Sequence, residues 1–286
     1  MIHQLDFNGK DKVDKAIMRL QAYEPKEGYY LCFSGGKDSC VIKALADMAG
    51  VKYDAHYNVT GIDPPELVQF IKAEHADVAF EKPYDKDGNR ITMWTLIPQK
   101  RMPPTRLARY CCQELKEQGG TGRFVVTGVR WAESARRKNT RNILELHEKN
   151  GRRVYSSDNV EDAPTFKFCH QYHKRVLNPI VDWTDSEVWE FLKEYKIPYC
   201  KLYDEGFKRL GCIGCPMSTG RGQKMEFERY PKFKNLYLTA FQKLIDTRKE
   251  LGLELPKKWE TPEKLMQWWM QDEAEIPDTM ITQELI

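Results

Sequence analysis

Short apolar runs alternate with amphipathic stretches along the first half of the chain. Four of these runs predict strands, at residues 29–33, 53–57, 78–80 and 124–127. Helices are predicted over residues 38–49 and 65–75, and the second has a proline at its first position, where a missing N–H costs nothing. Short apolar strands separated by helices are typical of a parallel sheet with helices on both faces. The pattern therefore indicates the α/β fold class.

The pattern weakens between residues 138 and 173, where glycine, serine and proline residues are loop signals. We interpret this segment as a loop-like insertion across the edge or the mouth of the sheet. Regular structure returns at Thr184, which forms a capping-box pattern with Glu187 ahead of an apolar stripe. The sequence therefore predicts one domain over residues 1–216 that contains this insertion.

Beyond residue 216 the chain reads as helical. Residues 232–251 predict one helix, and a second begins near Thr261 and ends near residue 271. We interpret three tryptophans of this region as packing residues rather than base-stacking residues: Trp259, Trp268 and Trp269. These features predict a helical C-terminal extension over residues 217–286.

Composition and charge describe an ordinary globular chain. Its 286 residues are 41% hydrophobic, and 45 basic against 42 acidic residues give a net charge of +3. No apolar run approaches the roughly 20 residues that cross a bilayer, and the first residues lack the layout of a secretory signal. We therefore expect a cytoplasmic protein with no membrane partner.

Basic residues are concentrated in one region, at Arg130, Arg136, Arg137, Lys138, Arg141, Arg152 and Arg153. The small net charge of the whole chain does not indicate a nucleic-acid-binding face. A local cluster of this kind forms either a solvated surface or a site for phosphate groups, and the sequence leaves both interpretations open.

A candidate phosphate loop, Ser34-Gly35-Gly36-Lys37-Asp38-Ser39, lies between the first predicted strand and its helix. The two glycines let the backbone approach an anion closely, and the helix N-terminus behind them offers free N–H groups. Lys37 adds positive charge, and the two serine hydroxyls can donate to phosphate oxygens. The spacing is not that of a Walker loop.

This segment resembles the PP-loop of ATP pyrophosphatases, which split ATP between its α and β phosphates. The resemblance implies that the loop holds the pyrophosphate part of ATP and that Asp38 is associated with Mg²⁺. It makes ATP and Mg²⁺ the expected cofactors.

Cysteines form a second candidate site. Eight cysteines in a cytosolic chain favour metal binding or catalysis over disulfides. Cys111 and Cys112 are adjacent, and Cys212 and Cys215 form a C-x-x-C turn about a hundred residues later. Structural zinc usually pairs two C-x-x-C turns, whereas a [4Fe–4S] cube offers separate irons that neighbouring thiolates can reach. The spacing favours the cluster and permits zinc.

Further motifs occur along the sequence from residue 115 to residue 212. They are Leu115-Lys116 after the cysteine pair, Gly128-Val129-Arg130 with Glu133-Ser134 and Arg137, Asn178-Pro179-Ile180, Asp182-Trp183-Thr184, Leu202-Tyr203-Asp204, Gly206 and Gly211-Cys212. Together with the cysteines they resemble the adenylylsulfate (APS) reductase branch of the phosphoadenosine phosphosulfate (PAPS) reductase family, over roughly residues 28–216.

The resemblance implies a Rossmann-like, HUP-type fold of the adenine nucleotide α-hydrolases. It also implies that Arg130 and Arg137 meet anionic groups of the nucleotide or substrate. The four metal ligands that it implies are Cys111, Cys112, Cys212 and Cys215, around a [4Fe–4S] cluster.

Two departures from the reductases point towards ATP. Sulfonucleotide reductases carry a nucleophilic cysteine in a C-terminal Glu-Cys-Gly motif, and this chain has no cysteine after Cys215. Their phosphate loop is altered, whereas Lys37, Asp38 and Ser39 are retained here. Cys169, beside His170, is the candidate replacement nucleophile.

The favoured function is therefore an ATP-dependent transferase that forms AMP and pyrophosphate while activating a substrate for sulfur transfer. Nucleic-acid thiolation is the leading class by analogy, with an adenine nucleotide and either a nucleic-acid substrate or a sulfur-donor protein as partners. The first alternative is a thioredoxin-dependent APS or PAPS reductase. The second is a scaffold that binds a nucleotide without catalysis.

Overall fold

The computed structural model describes residues 2–6, 8–117, 119–148, 151–155 and 174–270. Seven strands occur in these residues: β1 Tyr29–Cys32, β2 Tyr53–Asn58, β3 Ala79–Glu81, β4 Phe124–Val126, β5 Leu144–Glu148, β6 Gly151–Tyr155 and β7 Lys174–Leu177. The helices of the same residues are α1 Lys12–Tyr23, α2 Lys37–Ala49, α3 Pro65–Glu74, α4 Met93–Lys100, α5 Tyr110–Leu115, α6 Ala135–Thr140, α7 Asp185–Glu194, α8 Gly220–Arg229, α9 Pro231–Glu250 and α10 Pro262–Trp269.

The chain divides into two compact units. We name the first the sheet unit; it comprises Met1–Asn58, Pro65–Glu81 and Gly119–Leu210. The second, the helical unit, comprises Val59–Pro64, Lys82–Gln118 and Gly211–Ile286. These units divide the chain differently from the boundary expected at residue 216. The expected division into two domains stays a prediction.

The sheet unit contains one mostly parallel sheet in the order β3-β2-β1-β4-β7-β5-β6. The first five strands of this order run parallel, and β5 and β6 are antiparallel. Helices α1, α2 and α7 pack beside one another in the same unit. The predicted α/β class with a Rossmann-like sheet and a helical C-terminus is therefore confirmed.

Buried apolar residues account for the central strands, and capping residues account for the ends of helices α2 and α7. The central strands β1 and β4 are almost wholly buried, as expected for parallel strands covered on both faces. Helix α2 ends at Gly50, whose φ of +66° is a left-handed conformation that glycine adopts without strain. Helix α7 begins with the predicted capping box, in which Thr184 and Glu187 each accept from the other's backbone N–H.

The strands after β4 differ from the sequence prediction, which gave no strand at β5, β6 or β7. The segment 138–173, expected to be loop-like, contains the antiparallel pair β5 and β6, which extends the sheet beyond β7. Leu144 and Leu146 are buried on β5, and they alternate with polar residues as a strand requires. The surrounding charges and turn residues hide that short alternation. Residues 156–173 lie outside the described residues.

The helical unit has its own apolar core. Helices α4, α9 and α10 contribute to it, and its central side chains include Tyr237, Phe241 and Leu265. Trp259, Trp268 and Trp269 are all buried in this core, so the prediction that they are packing residues is confirmed. Among the described residues, no helix is both long enough and apolar enough to cross a membrane.

Candidate functional site

The phosphate loop lies at the carboxyl end of β1, where the order of the strands in the sheet reverses. Strands β2 and β3 lie on one side of β1, and β4 and the later strands lie on the other. Ligands of open α/β sheets bind at the carboxyl ends of strands at such a switch point. The phosphate loop follows β1, and Gly128 to Arg130 follow β4. A Cβ on Gly128 would lie 3.0 Å from the carbonyl oxygen of Asp38, so a larger residue would require the two segments to move apart slightly.

Two glycines shape the phosphate loop. Gly35 has a φ of +73°, and a Cβ there would lie 2.8 Å from side-chain atoms of Leu67 and Ile71. Gly36 is the N-cap of α2, and no side chain caps the helix at this position. The positive end of the α2 dipole is therefore directed towards the position that an incoming anion would take. Ser39 Oγ donates to the carbonyl oxygen of Gly36 at 2.8 Å.

Four charged side chains meet at the first turn of α2. Arg130, only 1% exposed, donates through Nε to Asp38 Oδ1 at 2.6 Å and through Nη2 to Asp185 Oδ1 at 2.6 Å. Lys37 Nζ lies 3.5 Å from Asp38 Oδ2 and 3.4 Å from Asp185 Oδ1. Desolvation acts to raise the pKa of Asp185, but Arg130 and Lys37 outweigh it and hold the pKa below its usual value.

Tyr203 contacts the loop from a second segment of the sheet unit. Its hydroxyl accepts from the backbone N–H of Lys37 at 3.0 Å. Desolvation raises the pKa of this phenol, so it remains neutral and able to donate from the same oxygen. Tyr203 and Asp185 were not among the candidate site residues. The only signal for them was their place in or beside the family motifs around residues 182–184 and 202–204.

The structure brings the predicted loop residues and Arg130 together. Arg137 contacts this group only indirectly, through Glu133. Arg137 forms an ion pair with Glu133, and Glu133 Oε2 accepts from the backbone N–H of Arg130 at 2.9 Å. Arg137 is about one-third exposed. Cys169, the predicted nucleophile, lies outside the described residues.

The four candidate metal ligands all belong to the helical unit. Cys111 and Cys112 lie on α5, and Cys212 and Cys215 lie on a turn in which the Cys215 N–H donates to the Cys212 carbonyl at 3.2 Å. Gly214 has a φ of +70° inside this turn, and a Cβ there would lie 2.5 Å from the ring of Phe227. The thiol of Cys111 interacts electrostatically with those of all three other cysteines.

The chemistry of this donor set suits an anionic thiolate site. Arg109 Nη2 donates to Cys112 Sγ at 3.3 Å, and Lys116 interacts with the Cys212 thiol. The hydrogen bond from Cys111 and the contact with Arg109 lower the pKa of Cys112. That same hydrogen bond raises the pKa of Cys111, and burial raises the pKa of Cys212. Within the described ranges, no three His, Cys, Asp or Glu side chains are arranged around a single-ion position. Four thiolates on a cube each bind a separate iron, so a cluster does not require such an arrangement.

Comparisons with known proteins show a family match and two similar archaeal proteins. A family model described as the phosphoadenosine phosphosulfate reductase domain matches residues 28–218. An uncharacterized protein of Methanocaldococcus jannaschii is 26% identical over 86% of this chain and 56% of its own length. A second from the same organism is 30% identical over 72% of this chain and 40% of its own length. The chain thus spans about half the length of these archaeal relatives.

Relatives of named activity are also similar. Adenosine 5'-phosphosulfate reductase of Bacillus cereus is 23% identical over 77% of this chain and 87% of that protein. Among solved structures, PAPS reductase from Candida auris in complex with phosphate has a TM-score of 0.41 at 16% identity, and the match covers 69% of this chain and 87% of the other. Because the family model spans residues 28–218, well over half of the chain, the protein belongs to the phosphoadenosine phosphosulfate reductase family.

Proposed function

We propose that this protein is an ATP-dependent PP-loop enzyme that forms AMP and pyrophosphate and activates a substrate for sulfur transfer. A substrate oxygen would attack the α phosphorus of ATP, the bond to the bridging oxygen would break, and pyrophosphate would leave. A sulfur nucleophile would then displace AMP from the activated substrate. Nucleic acid is the leading substrate class.

The charge arrangement around the phosphate loop carries this proposal. Lys37 and Arg130 are buried cations beside the positive dipole end of α2, where a pyrophosphate group could accept hydrogen bonds from both. Asp38 lies on the same turn, and a carboxylate there is a suitable ligand for the Mg²⁺ of a metal–nucleotide complex. We propose Ser34, Gly35, Gly36 and Ser39 as the remaining phosphate contacts.

We further propose that Cys111, Cys112, Cys212 and Cys215 hold a [4Fe–4S] cluster. The contacts of Arg109 and Lys116 with two of the thiols support it, since both cations would offset the negative charge of a thiolate-bound cluster. When bound by all four thiolates, such a cluster would supply an electron carrier, since each iron would already have its cysteine ligand. Because Cys111 and Cys112 lie on α5 and Cys212 and Cys215 on the later turn, their binding to one cluster would link these two segments.

The test is a nucleotide panel on anaerobically purified protein. ATP with Mg²⁺ and candidate acceptors should yield AMP and pyrophosphate in equal amounts, and Asp38→Asn should abolish both. Production of neither, with ATP bound intact, would favour the binding-only scaffold.

A thioredoxin-dependent APS or PAPS reductase is the second candidate, supported by the similarity to the Bacillus cereus enzyme. That reaction needs a thiolate to attack the sulfonate, and Cys169 is the candidate for it. Sulfite release from either sulfonucleotide, with thioredoxin and reductant supplied, would establish this activity if Cys169→Ser abolished it. We expect no catalytic sulfite release.

A further inference from the structure

One exposed carboxylate, that of Asp185, contacts both Lys37 of the phosphate loop and Arg130. The side chain of Asp185 is 72% exposed, whereas those of Lys37 and Arg130 are 9% and 1% exposed. A single oxygen, Oδ1 of Asp185, lies 2.6 Å from Arg130 Nη2 and 3.4 Å from Lys37 Nζ. Asp185 therefore occupies the solvent side of the same two cations that a phosphate group would approach.

The charges of this cluster balance only when Asp185 is counted. Buried charges are costly unless they are paired, and Lys37 and Arg130 contribute two positive charges. Asp38, which contacts both, contributes one negative charge. Asp185 supplies the second, so the four side chains are neutral together. A phosphate group that entered this balanced cluster would be repelled by a carboxylate that already holds its cations.

Asp185 can leave these cations at little cost to the fold. It is the first residue of α7, but the cap of that helix is formed by Thr184 and Glu187 alone. Most of its surface already contacts solvent. A rotation of this side chain into water would expose Lys37 Nζ and Arg130 Nη2 to a ligand while Asp38 keeps its own bond to Arg130.

We propose that Asp185 is a displaceable counter-ion that competes with pyrophosphate for Lys37 and Arg130. This inference rests on the proposed function, in which the loop binds the pyrophosphate part of ATP. A triphosphate brings enough negative charge and metal to displace the carboxylate. Once the α–β bond has broken, the return of Asp185 to its cations would speed the release of pyrophosphate.

The test is the affinity for inorganic pyrophosphate, measured by titration calorimetry with and without Mg²⁺. Asp185→Asn keeps the size of the side chain and removes its charge, and it should bind pyrophosphate about tenfold more tightly, the scale of one partly exposed charge-assisted hydrogen bond. Asp185→Glu should restore the wild-type affinity. The matched control is Asp77→Asn, which removes an exposed carboxylate 3.0 Å from Lys43 on the same helix α2 and should leave the affinity unchanged.

A tighter complex is a result that structural damage would not produce. Equal or weaker pyrophosphate binding by Asp185→Asn, with normal binding by the wild type, would overturn this inference alone. Weakening seen only with Mg²⁺ would assign Asp185 to the metal and would also overturn it. Absence of pyrophosphate binding in every protein would overturn the proposed function together with the inference.

Discussion

At the scale of single residues, Arg130 organises the candidate nucleotide site. Its guanidinium is 1% exposed and donates to Asp38, to Asp185 and to the carbonyl oxygen of Trp183. A planar group with several fixed donors suits this role better than a flexible ammonium would. Lys37, by contrast, contacts carboxylates only at 3.4–3.5 Å. The longer contacts leave its ammonium free to form shorter ones with a phosphate.

Replacement of Lys37 by alanine should therefore weaken ATP binding. We expect a loss of about 1–3 kcal/mol of binding free energy, the scale for a hydrogen bond to a charged group, measured by calorimetry with Mg²⁺. Lys43→Ala is the control, because Lys43 lies further along α2 and pairs with Asp77 at 3.0 Å. Unchanged ATP affinity in Lys37→Ala would rule out the phosphate-loop assignment.

At the scale of elements, helix α7 begins with a capping box and forms an ion pair with the first residue of α1. Glu187 completes the capping box with Thr184 and also lies 2.8 Å from Lys12 Nζ. Desolvation acts to raise the pKa of Glu187, but the bonds from Lys12 and Thr184 outweigh it and lower the pKa. The carboxylate form therefore stabilises the folded protein.

This lowered pKa predicts an acid-dependent loss of stability. A carboxyl whose folded-state pKa lies below its unfolded value stabilises the protein above the unfolded pKa, and that contribution disappears as the pH falls through the folded value. The free energy of unfolding of the wild type should therefore fall more steeply than that of Glu187→Gln between about pH 5 and pH 3. Urea titrations across this range would measure the difference.

Glutamine is the informative substitution because it retains the capping-box hydrogen bonds and loses only the charge. We expect a difference of about 1 kcal/mol at pH 7, in the range of a partly buried ion pair. Lys12→Met should produce a similar change, and the double variant should cost less than the sum of the two. Strictly additive losses would show that Lys12 and Glu187 do not interact.

Elements with strong periodicity or caps were predictable from the sequence, and the edge of the sheet was not. Helix α2 is predicted from residue 38 and observed from Lys37, and helix α7 begins where its capping box indicates. Strands β5, β6 and β7 were missed because each is short, and charged residues occur within all three. Strand β5 pairs with β7 and strand β6 pairs with β5, and such non-local contributions have no local sequence signal.

Part of the candidate site was also predictable from the sequence. The loop composition indicated Lys37 and Asp38, and the family resemblance indicated Arg130. Asp185 could not be predicted, because an acidic residue in the first turn of a helix is ordinarily a favourable dipole contact. Its second role arises only from the approach of Arg130, 55 positions earlier in the chain.

At the scale of the whole molecule, the metal content separates the proposed cluster from zinc. Anaerobically prepared protein should contain about four iron and four sulfide per chain, as a [4Fe–4S] cluster requires. Cys212→Ser should lower both values, whereas Cys200→Ser should not, since Cys200 is a buried cysteine of the sheet unit. Stoichiometric zinc without iron would contradict the proposal.

The order in which a ribosome makes this chain has a consequence for the helical unit. That unit combines three separated stretches of sequence, and the N–H of Ile213 donates to the carbonyl oxygen of Ile62 at 2.7 Å. During synthesis, the first cysteine pair emerges long before the C-x-x-C turn and before the core side chains of α9. Contacts between such distant positions form late. Loading of the proposed cluster would therefore be a late step, and a chain truncated ahead of Cys212 would present half of its ligands without the core side chains of α9.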